Sequence, residues 1–359
     1  MLILGIETSC DETSAAVVEE TGDTSKPWAV RSNIVASQVA IHREWGGVVP
    51  ELASRQHIRD ICGVVERSLD EAKATWADLG AVAVTQGPGL VGSLLVGVSF
   101  AKSAAAAAGL PLVAVHHLAG HIESLVLQNG ELPLPAIVLV VSGGHTSLYL
   151  VEKPGHYALL SRTRDDAAGE AYDKVAKLLG LGYPGGPVID RLARTGNDRA
   201  VPLPTTRLTH ADRNAPELKG DLDFSFSGLK TAVLRYVQSK SEVGSQKSAD
   251  LRLQTSNFDV ADICASFQRV VVTGLLDRLF DAARRYQAKS VGIAGGVSAN
   301  SRLRAELADR GARREMPTFL PSLALSTDNA AMIAAAGLRK FRAGSRASMD
   351  LNADAALTL

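Results

Sequence analysis

Two histidines and one aspartate have residue types and spacing that suit a metal site. His117 and His121 stand four residues apart in HLAGH, so both imidazoles lie on one face of a helix, close enough to share an ion. Two histidines leave the coordination sphere incomplete, and Asp328, before an apolar helix, is the best carboxylate candidate. The alternative interpretation is two surface histidines and a helix N-cap. Two His and one Asp with open positions suit Fe(II), Zn or Mn.

The same pair of histidines also argues against a protease. Zinc proteases of the HExxH type place a glutamate after the first histidine as the general base. Here that position is Leu118. A metalloprotease therefore stays an alternative that lacks its base.

A polar turn near the start of the chain carries two acids. Thr8 to Thr13 contains Asp11 and Glu12 with three hydroxyl side chains. Acids in such a turn can bond an amine or accept a proton. Asp11 is favoured slightly because a shorter acid is easier to fix in a tight turn. Both acids can instead be ordinary turn residues.

Glycine turns follow two apolar strands. One is Ser142-Gly143-Gly144-His145 and the other begins at Gly295-Gly296. Glycine lets backbone N–H groups approach an anion, and a following helix N-terminus adds a favourable dipole. Two such turns in one lobe indicate a ligand of nucleotide size, and the loop Tyr183 to Pro187 could pack against a ribose.

The elements that must position these residues occur in two similar series. Each series reads strand, polar turn, strand, strand, helices, strand, glycine turn and helix, starting at Met1 and again at Pro135. This order is typical of the actin, Hsp70 and sugar-kinase architecture, an α/β fold with two lobes, a duplicated mixed-sheet core and a cleft between them. We predict lobe I at residues 1–130 with a C-terminal helix at about 328–359, and lobe II at 131–327.

Composition favours a reduced cytosolic protein without a membrane span. The chain has 359 residues and three scattered cysteines, which argues against a disulfide framework. No basic segment precedes the first strand, and the apolar run Ser103 to Val115 contains Gly109 and Pro111 and is too short for a bilayer. We therefore predict a cytoplasmic location.

Charge is balanced overall but unevenly distributed. The formal net charge is zero, whereas Arg278 to Arg314 is strongly basic. A polyanion would be attracted to this stretch, with Arg302 or Arg304 nearest the cleft, unless these residues only form a solvated face. Ser239 to Asp259 is polar and is predicted to be a solvated loop.

Motifs along nearly the whole chain carry a resemblance to a known family. The chain resembles the universal tRNA threonylcarbamoyladenosine transferases, the TsaD family, in its bacterial or organellar form. The matching segments are GIETSCDETSAAVV from Gly5, GGVVPELASRQH from Gly46, TQGPGLVGSLLVG from Thr85, HHLAGH from His116, VSGGHTSL from Val141, GEAYDKVAKLLGLGYPGGP from Gly169, FSFSGLKTAV from Phe224, GGVSANSRLR from Gly295 and STDNAAMIA from Ser326.

The resemblance implies roles for individual residues. His117, His121 and Asp328 match the family's metal ligands, with Fe(II) favoured over Zn. The positions that match the adenylate-binding residues are Val140, Val141, Ser142, Gly143, Gly144, Asp173, Gly186, Asp190 and Asn300. The implied reaction moves the threonylcarbamoyl group from threonylcarbamoyl-AMP to N6 of the adenosine 3′ of the anticodon, in tRNAs that read codons beginning with A.

The resemblance also implies partners besides tRNA. Bacterial members work with an inactive paralogue of the same fold (TsaB-like) and a small P-loop ATPase (TsaE-like), whereas mitochondrial members do not.

A sugar kinase or ATPase of this fold would have no role for the two histidines. A non-catalytic scaffold could have lost the His-His-Asp set, which this chain retains.

Overall fold

Two five-stranded sheets form the frame of the computed structural model, which describes residues 1–205, 208, 220–241 and 259–359. The first sheet contains β1 (Leu2–Glu7), β2 (Glu12–Glu20), β3 (Trp28–Ser37), β4 (Leu79–Gly87) and β5 (Leu112–His116). The second contains β6 (Ala136–Val141), β7 (Thr146–Lys153), β8 (His156–Arg162), β9 (Ser290–Ala294) and β10 (Thr318–Phe319).

Both sheets have the same topology. The first has the order β3-β2-β1-β4-β5, and the second has the equivalent order β8-β7-β6-β9-β10. In each, the three strands that come first in the chain pair antiparallel, and the two later strands extend the sheet in parallel. The predicted α/β fold with a duplicated mixed-sheet core is therefore confirmed.

Helices cover both sheets and also separate them. The helices are α1 (Val39–His42), α2 (Pro50–Ala72), α3 (Val91–Ala108), α4 (His117–Asn129), α5 (Ala168–Leu178), α6 (Gly185–Ala193), α7 (Ser227–Ser241), α8 (Val260–Arg285), α9 (Ser301–Ala312), α10 (Leu323–Ser326) and α11 (Ala330–Arg342). Helices α2 and α3 pack on one face of the first sheet, and α4 and α11 pack on the other. Helix α4 also contacts β6 and β9, so it lies between the sheets, while α8 covers the far face of the second.

Alternation along each strand divides the core into layers. Leu4 and Ile6 of β1 point into the core beneath α2 and α3, whereas Ile3 points toward α4 and α11. Val138 and Val140 of β6 face the same central layer from the second sheet. Because both faces of each sheet are covered, the central strands read as continuous apolar runs.

Close packing of α11 on β1 depends on glycine. A Cβ atom added at Gly5 would lie 2.4 Å from the carbonyl oxygen of Ala330, the first residue of α11. Helix α11 therefore approaches the strand at backbone distance. This contact fixes the position of the residues that immediately precede the helix, including Asp328.

The C-terminal part of lobe I differs from the sequence-based expectation. The predicted helix at about 328–359 is shorter, because α11 ends at Arg342 and Gly344 follows with a φ of 86°. Residues 343–359 continue without further helix, and the Ala347 N–H donates to the Leu112 carbonyl at the edge of the first sheet. Most of the loop predicted at Ser239 to Asp259 lies outside the described residues.

Helix α3 has the length and apolar composition that could cross a membrane, alone among the helices in the described ranges. Helices in the core of a globular protein can have the same length and apolar composition. One face of α3, including Leu94 and Val98, is buried against the first sheet. The length and composition of α3 therefore carry little weight as a sign of membrane insertion.

Candidate functional site

The structure brings His117, His121 and Asp328 together. His117 is the first residue of α4 and His121 follows one turn later, while Asp328 lies between α10 and α11. Asp328 Oδ1 is 3.6 Å from His117 Nε2 and 3.2 Å from His121 Nε2. One potential ligand atom from each residue lies within 4.8 Å of the others. The spacing thus allows all three to bind one ion.

His121 supplies the test of whether a metal fits this cluster. Its side chain is fully buried; within the described part of the chain Nδ1 has no hydrogen-bond partner, and Nε2 faces Asp328 Oδ1 at 3.2 Å without hydrogen-bond geometry. A buried polar atom without a partner costs free energy, and a ligand or ion is a common way of satisfying it. The imidazole and carboxylate donors also match the set preferred by Fe(II) and Zn. The residues present therefore fit a divalent metal ion.

Glu7, at the end of β1, orients His117. Its Oε2 atom lies 3.0 Å from His117 Nδ1 and accepts a hydrogen bond of 2.7 Å from the Thr85 hydroxyl. A carboxylate that accepts from one imidazole nitrogen leaves the other free to bind a metal. Glu7 was not among the predicted site residues; its signal in the sequence is an acid at the last position of an otherwise apolar strand.

The charged groups around His117 and Asp328 shift the pKa values of both side chains. Burial works against protonation of His117, but the Asp328 and Glu7 carboxylates raise its pKa to about 9. Burial tends to raise the pKa of Asp328, yet the nearby imidazoles hold it well below its ordinary value. Both shifts favour a charged His117 beside a charged Asp328 when no ion is bound, so that metal binding would displace a proton.

His145, from the first glycine turn, is a further neighbour that the predictions did not assign. Its ring centroid lies 6.4 Å from that of His117. Burial, followed by the positive charge on His117, lowers the pKa of His145 to about 4. A neutral imidazole from the turn after β6 thus stands beside His117 of the candidate metal site.

Of the two predicted acids, Glu12 lies close enough to the cluster for the charge on Asp328 to act on it. Asp11 is in the turn between β1 and β2, and Glu12 is the first residue of β2 rather than a turn residue. Burial, followed by the charges on Asp11 and Asp328, raises the pKa of Glu12 well above its ordinary value. A carboxyl group with a raised pKa is a better proton acceptor near neutral pH.

The TQGPGLVGSLLVG segment supports this turn. A Cβ atom at Gly89 would lie 2.6 Å from the Ser9 carbonyl oxygen, and one at Gly97 would lie 2.4 Å from the Thr8 hydroxyl. The Thr8 hydroxyl itself donates to the Ser93 carbonyl at 2.9 Å. The glycines thus allow α3 to approach the turn closely.

The first glycine turn lies at the C-terminal end of β6. Val140 and Val141 are the last residues of the strand and are fully buried, whereas Gly143 and Gly144 are exposed with no atom near an added Cβ. The N-terminus of α5 adjoins this turn, since the Gly169 N–H donates to the Ser142 carbonyl at 3.1 Å. Open backbone beside a helix N-terminus can bind an anion.

Asp173 and Gly186 come together on neighbouring helices. Asp173 lies on α5, and its Oδ1 accepts a hydrogen bond of 2.7 Å from Gly185 N at the start of α6. Burial raises the pKa of Asp173, and the Asp11 charge adds to that rise. The pKa of Tyr183 is also raised by burial and then by Asp11. Asp11 is therefore close enough to α5 and to the loop before α6 for its charge to act on Asp173 and Tyr183.

Asp190 and Asn300 share one polar network. Asp190 Oδ1 accepts from the Ser301 hydroxyl at 2.8 Å and from Gln268 Nε2 at 3.1 Å. Asn300 donates to Gln268 Oε1 at 3.0 Å and caps α9 through Leu303 N. Gln268, on α8, links the two predicted residues and was missed because it lies in a strongly apolar helix.

The basic stretch from Arg278 to Arg314 is largely engaged within the fold. Arg302 donates to Asp198 and Glu306 at 2.8 and 2.7 Å. Arg304 donates to the carbonyl groups of Ser298 and Pro321, both at 3.1 Å. An RNA phosphate would have to compete with these partners, and contact between this stretch and tRNA stays a prediction.

Similarity to solved structures agrees with the fold. The chain matches component A of (R)-2-hydroxyglutaryl-CoA dehydratase from Acidaminococcus fermentans at 14% identity and a TM-score of 0.54, covering 96% of this chain and all of that one. It matches full-length HypF at 13% identity and a TM-score of 0.56, covering 95% of this chain and 46% of that one. At such identities these matches show the fold alone, and they support the two-lobed actin-like architecture.

Similarity in sequence to characterised proteins identifies the family of this chain. The family model TsaD, tRNA N6-adenosine threonylcarbamoyltransferase, matches residues 29–335. Curated proteins of that name from Koribacter versatilis and from an Anaeromyxobacter species are 46% and 50% identical to this chain, covering all of it and 99% and 100% of their own lengths. A relative from Moorella thermoacetica is 49% identical over 98% of this chain and 95% of its own length. This chain therefore belongs to the tRNA N6-adenosine threonylcarbamoyltransferase family.

Proposed function

We propose that this protein transfers the threonylcarbamoyl group of threonylcarbamoyl-AMP to N6 of the adenosine 3′ of the anticodon, in tRNAs that read codons beginning with A. Family membership supports the reaction. The observation that carries the assignment to this site is the cluster of buried His117 and His121 with half-buried Asp328, whose charge acts on the nearby acid Glu12.

The reaction makes clear demands on the site. The exocyclic amine forms a bond to the carbamoyl carbon, the bond from that carbon to the phosphate oxygen breaks, and AMP leaves. The amine is a poor nucleophile, so its proton must be accepted as the new bond forms. Asp11 or Glu12 is proposed to take that proton, as the two carboxyl groups between the start of the first turn and the start of β2.

The adenylate is proposed to bind along the glycine turns. The backbone N–H groups of Gly143 and Gly144 and the hydroxyl of Ser142, whose own N–H donates to the His145 carbonyl, would bond its phosphate next to the N-terminus of α5. Asp173 and Asp190 offer carboxylate oxygens on the helices that follow. The remaining proposed contacts are Val140, Val141, Gly186 and Asn300.

A divalent ion, Fe(II) in preference to Zn, is proposed to be held by His117, His121 and Asp328. When bound, it would polarise an oxygen of the substrate as a Lewis acid. Glu7 would accept a hydrogen bond from Nδ1 of His117, which leaves the lone pair of Nε2 free to bind the metal.

Protein partners, a cellular location and the limits of the two lobes are also proposed for this chain. We infer that the protein acts in the cytoplasm with a TsaB-like inactive paralogue and a TsaE-like P-loop ATPase. Lobe I is proposed to comprise residues 1–130 and the segment from 328 onward, and lobe II residues 131–327. This division follows the two sheets, with α4 and α11 between them.

Mass spectrometry of tRNA nucleosides tests the function. Unmodified tRNA would be incubated with the protein, its two proposed protein partners and synthetic threonylcarbamoyl-AMP. Threonylcarbamoyladenosine should appear, and tRNA with the target adenosine replaced by guanosine should remain unmodified. Product formation at the same rate without this protein would refute the proposal.

Metal removal separates this function from proteolysis. His117→Ala and His121→Ala should each lose the bound ion and the transfer activity, because two ligands hold it poorly. Peptide cleavage is not expected, since Leu118 stands where a protease needs its base. Both variants keeping full metal content and activity would refute the metal assignment.

A further inference from the structure

A buried histidine of α2 makes all of its hydrogen bonds to residues in and beside the first turn. His57 belongs to the segment GGVVPELASRQH, whose role the site described above leaves open, and its side chain is fully buried. Its neighbours one and two turns along the same face, Ala53, Ile61 and Val64, are core residues. A polar ring at such a position is costly unless its hydrogen bonds are satisfied.

The partners of His57 determine its tautomer. Nε2 lies 2.9 Å from the Cys10 carbonyl oxygen, which can only accept, so Nε2 carries the proton. Nδ1 then accepts from the Thr13 hydroxyl at 2.8 Å and from Gln38 Nε2 at 3.3 Å. Burial lowers the pKa of His57, in keeping with a neutral ring.

These bonds fix the backbone on both sides of the Asp11 peptide. His57 holds the carbonyl of Cys10, while the Gln38 N–H donates to the carbonyl of Asp11 at 3.0 Å. Thr13, which bonds the other nitrogen of His57, lies two residues further on. The direction in which the Asp11 and Glu12 carboxylates leave the backbone is therefore set by α2 and the segment after β3.

The chain of bonds continues away from the turn. The Gln38 Oε1 atom lies 3.2 Å from Nε2 of buried His42, and His42 Nδ1 accepts from the Val49 N–H at 3.2 Å. His42, Gln38 and His57 are all buried. The chain thus ties the loop that enters α2 to the turn that carries the two acids.

We propose that His57 is a positioning residue for the transfer reaction, holding the end of the first turn and the start of β2 so that the carboxylates of Asp11 and Glu12 meet the attacking amine. This inference rests on the proposed function. Among the described residues, the hydrogen bonds of His57 go to Cys10, Thr13 and Gln38 and not to His117, His121 or Asp328. Its loss should therefore slow the chemical step while leaving metal content and adenylate affinity near their wild-type values.

Single-turnover transfer at saturating threonylcarbamoyl-AMP and tRNA tests the role. His57→Leu removes all three hydrogen bonds and should lower the rate roughly ten- to a hundredfold, the usual scale for losing a group that orients a reacting one. His57→Gln can still donate to the Cys10 carbonyl and should lose less, whereas His57→Asn keeps only the acceptor near Thr13. Thr13→Val should cost less than His57→Leu and add little to it.

Ser68→Ala is the matched control. Ser68 lies further along the same buried face of α2, and its hydroxyl bonds the Ser32 hydroxyl at 2.8 Å, away from the turn. This variant should lower the melting temperature yet keep the wild-type transfer rate. If Ser68→Ala slowed transfer as much as His57→Gln at an equal loss of melting temperature, the effect would be one of general stability and the proposal would be overturned.

The remaining outcomes are equally decisive. A folded His57→Leu protein with a wild-type single-turnover rate would overturn the positioning role. If that variant fails to fold, His57→Gln and His57→Asn decide, and wild-type rates in both would overturn it. Absence of product from the wild-type protein would refute the proposed function itself, which is a different result from unchanged rates in the variants.

Discussion

At the scale of single residues, Glu7 should control metal affinity without binding the metal. Glu7→Gln keeps the shape of the side chain but removes the charge that holds His117 Nδ1. Metal affinity should fall about ten- to a hundredfold, as is usual for the loss of a group that orients a ligand. Competition with a chromogenic chelator would measure it. Ser9→Ala, which removes only a contact of 3.2 Å to the same nitrogen, should have a smaller effect, and equal affinities in Glu7→Gln and wild type would contradict this role.

Asp11 and Glu12 can be separated from substrate binding. If one accepts the amine proton, Asp11→Asn or Glu12→Gln should lower the single-turnover rate by roughly a hundredfold or more, the scale of a lost general base. Adenylate affinity should change far less, because both substitutions keep the side-chain shape. Unchanged rates in both variants would remove these carboxylates from the mechanism. Parallel loss of rate and affinity would assign them to binding.

At the scale of elements, the approach of α11 to β1 should matter for both stability and metal binding. Gly5→Ala places a Cβ atom 2.4 Å from the Ala330 carbonyl oxygen, so the helix must shift. We expect a loss of about 1–3 kcal/mol in the free energy of unfolding, typical of overpacking, together with weaker metal binding because Asp328 precedes α11.

Urea denaturation and metal titration would check the Gly5 prediction. Gly63→Ala is the control, since Gly63 lies on the exposed side of α2 with no atom within 4 Å of an added Cβ. That change should stabilise the protein by up to about 1 kcal/mol through helix propensity. Equal stability of Gly5→Ala and wild type would show that α11 adjusts without cost.

At the scale of the whole molecule, one buried ion pair ties the central helices to the second sheet. Arg339 of α11 donates to Glu123 of α4 at 2.6 Å, and the Tyr157 hydroxyl of β8 donates to the same oxygen at 2.7 Å. Glu123 is 2% exposed, so removing Arg339 leaves a buried charge without its counter-ion.

Arg339→Met should therefore lower the free energy of unfolding by about 3–5 kcal/mol. Glu123→Gln in the Arg339→Met background should restore part of the loss, because the unpaired charge is removed. A double-mutant cycle in urea would measure the coupling. Additive effects of the two single changes would mean that the pair does not act as a unit.

The sequence alone was sufficient for the order of elements and for the type of chemistry. A sheet that is covered by helices on both faces needs apolar strands, so β1, β6 and β9 are recognisable as runs of apolar residues. The repeated series of elements predicts two sheets of the same topology. Helical spacing puts His117 and His121 on one face because the helix period is a local property. The motif segments from GIETSCDETSAAVV to STDNAAMIA likewise indicate the family from sequence alone.

Only the tertiary structure decided how distant residues meet. Asp328 reaches the histidines because α11 packs on β1 at backbone distance, which no local pattern encodes. Glu7 and His57 have ordinary neighbours in sequence, and they matter because β1 ends beside α4 and α2 lies over the first turn. The basic stretch reads as a patch in sequence, yet Arg302 and Arg304 find their partners through the fold. Periodicity depends on neighbours along the chain, whereas pairing depends on which surfaces packing brings into contact.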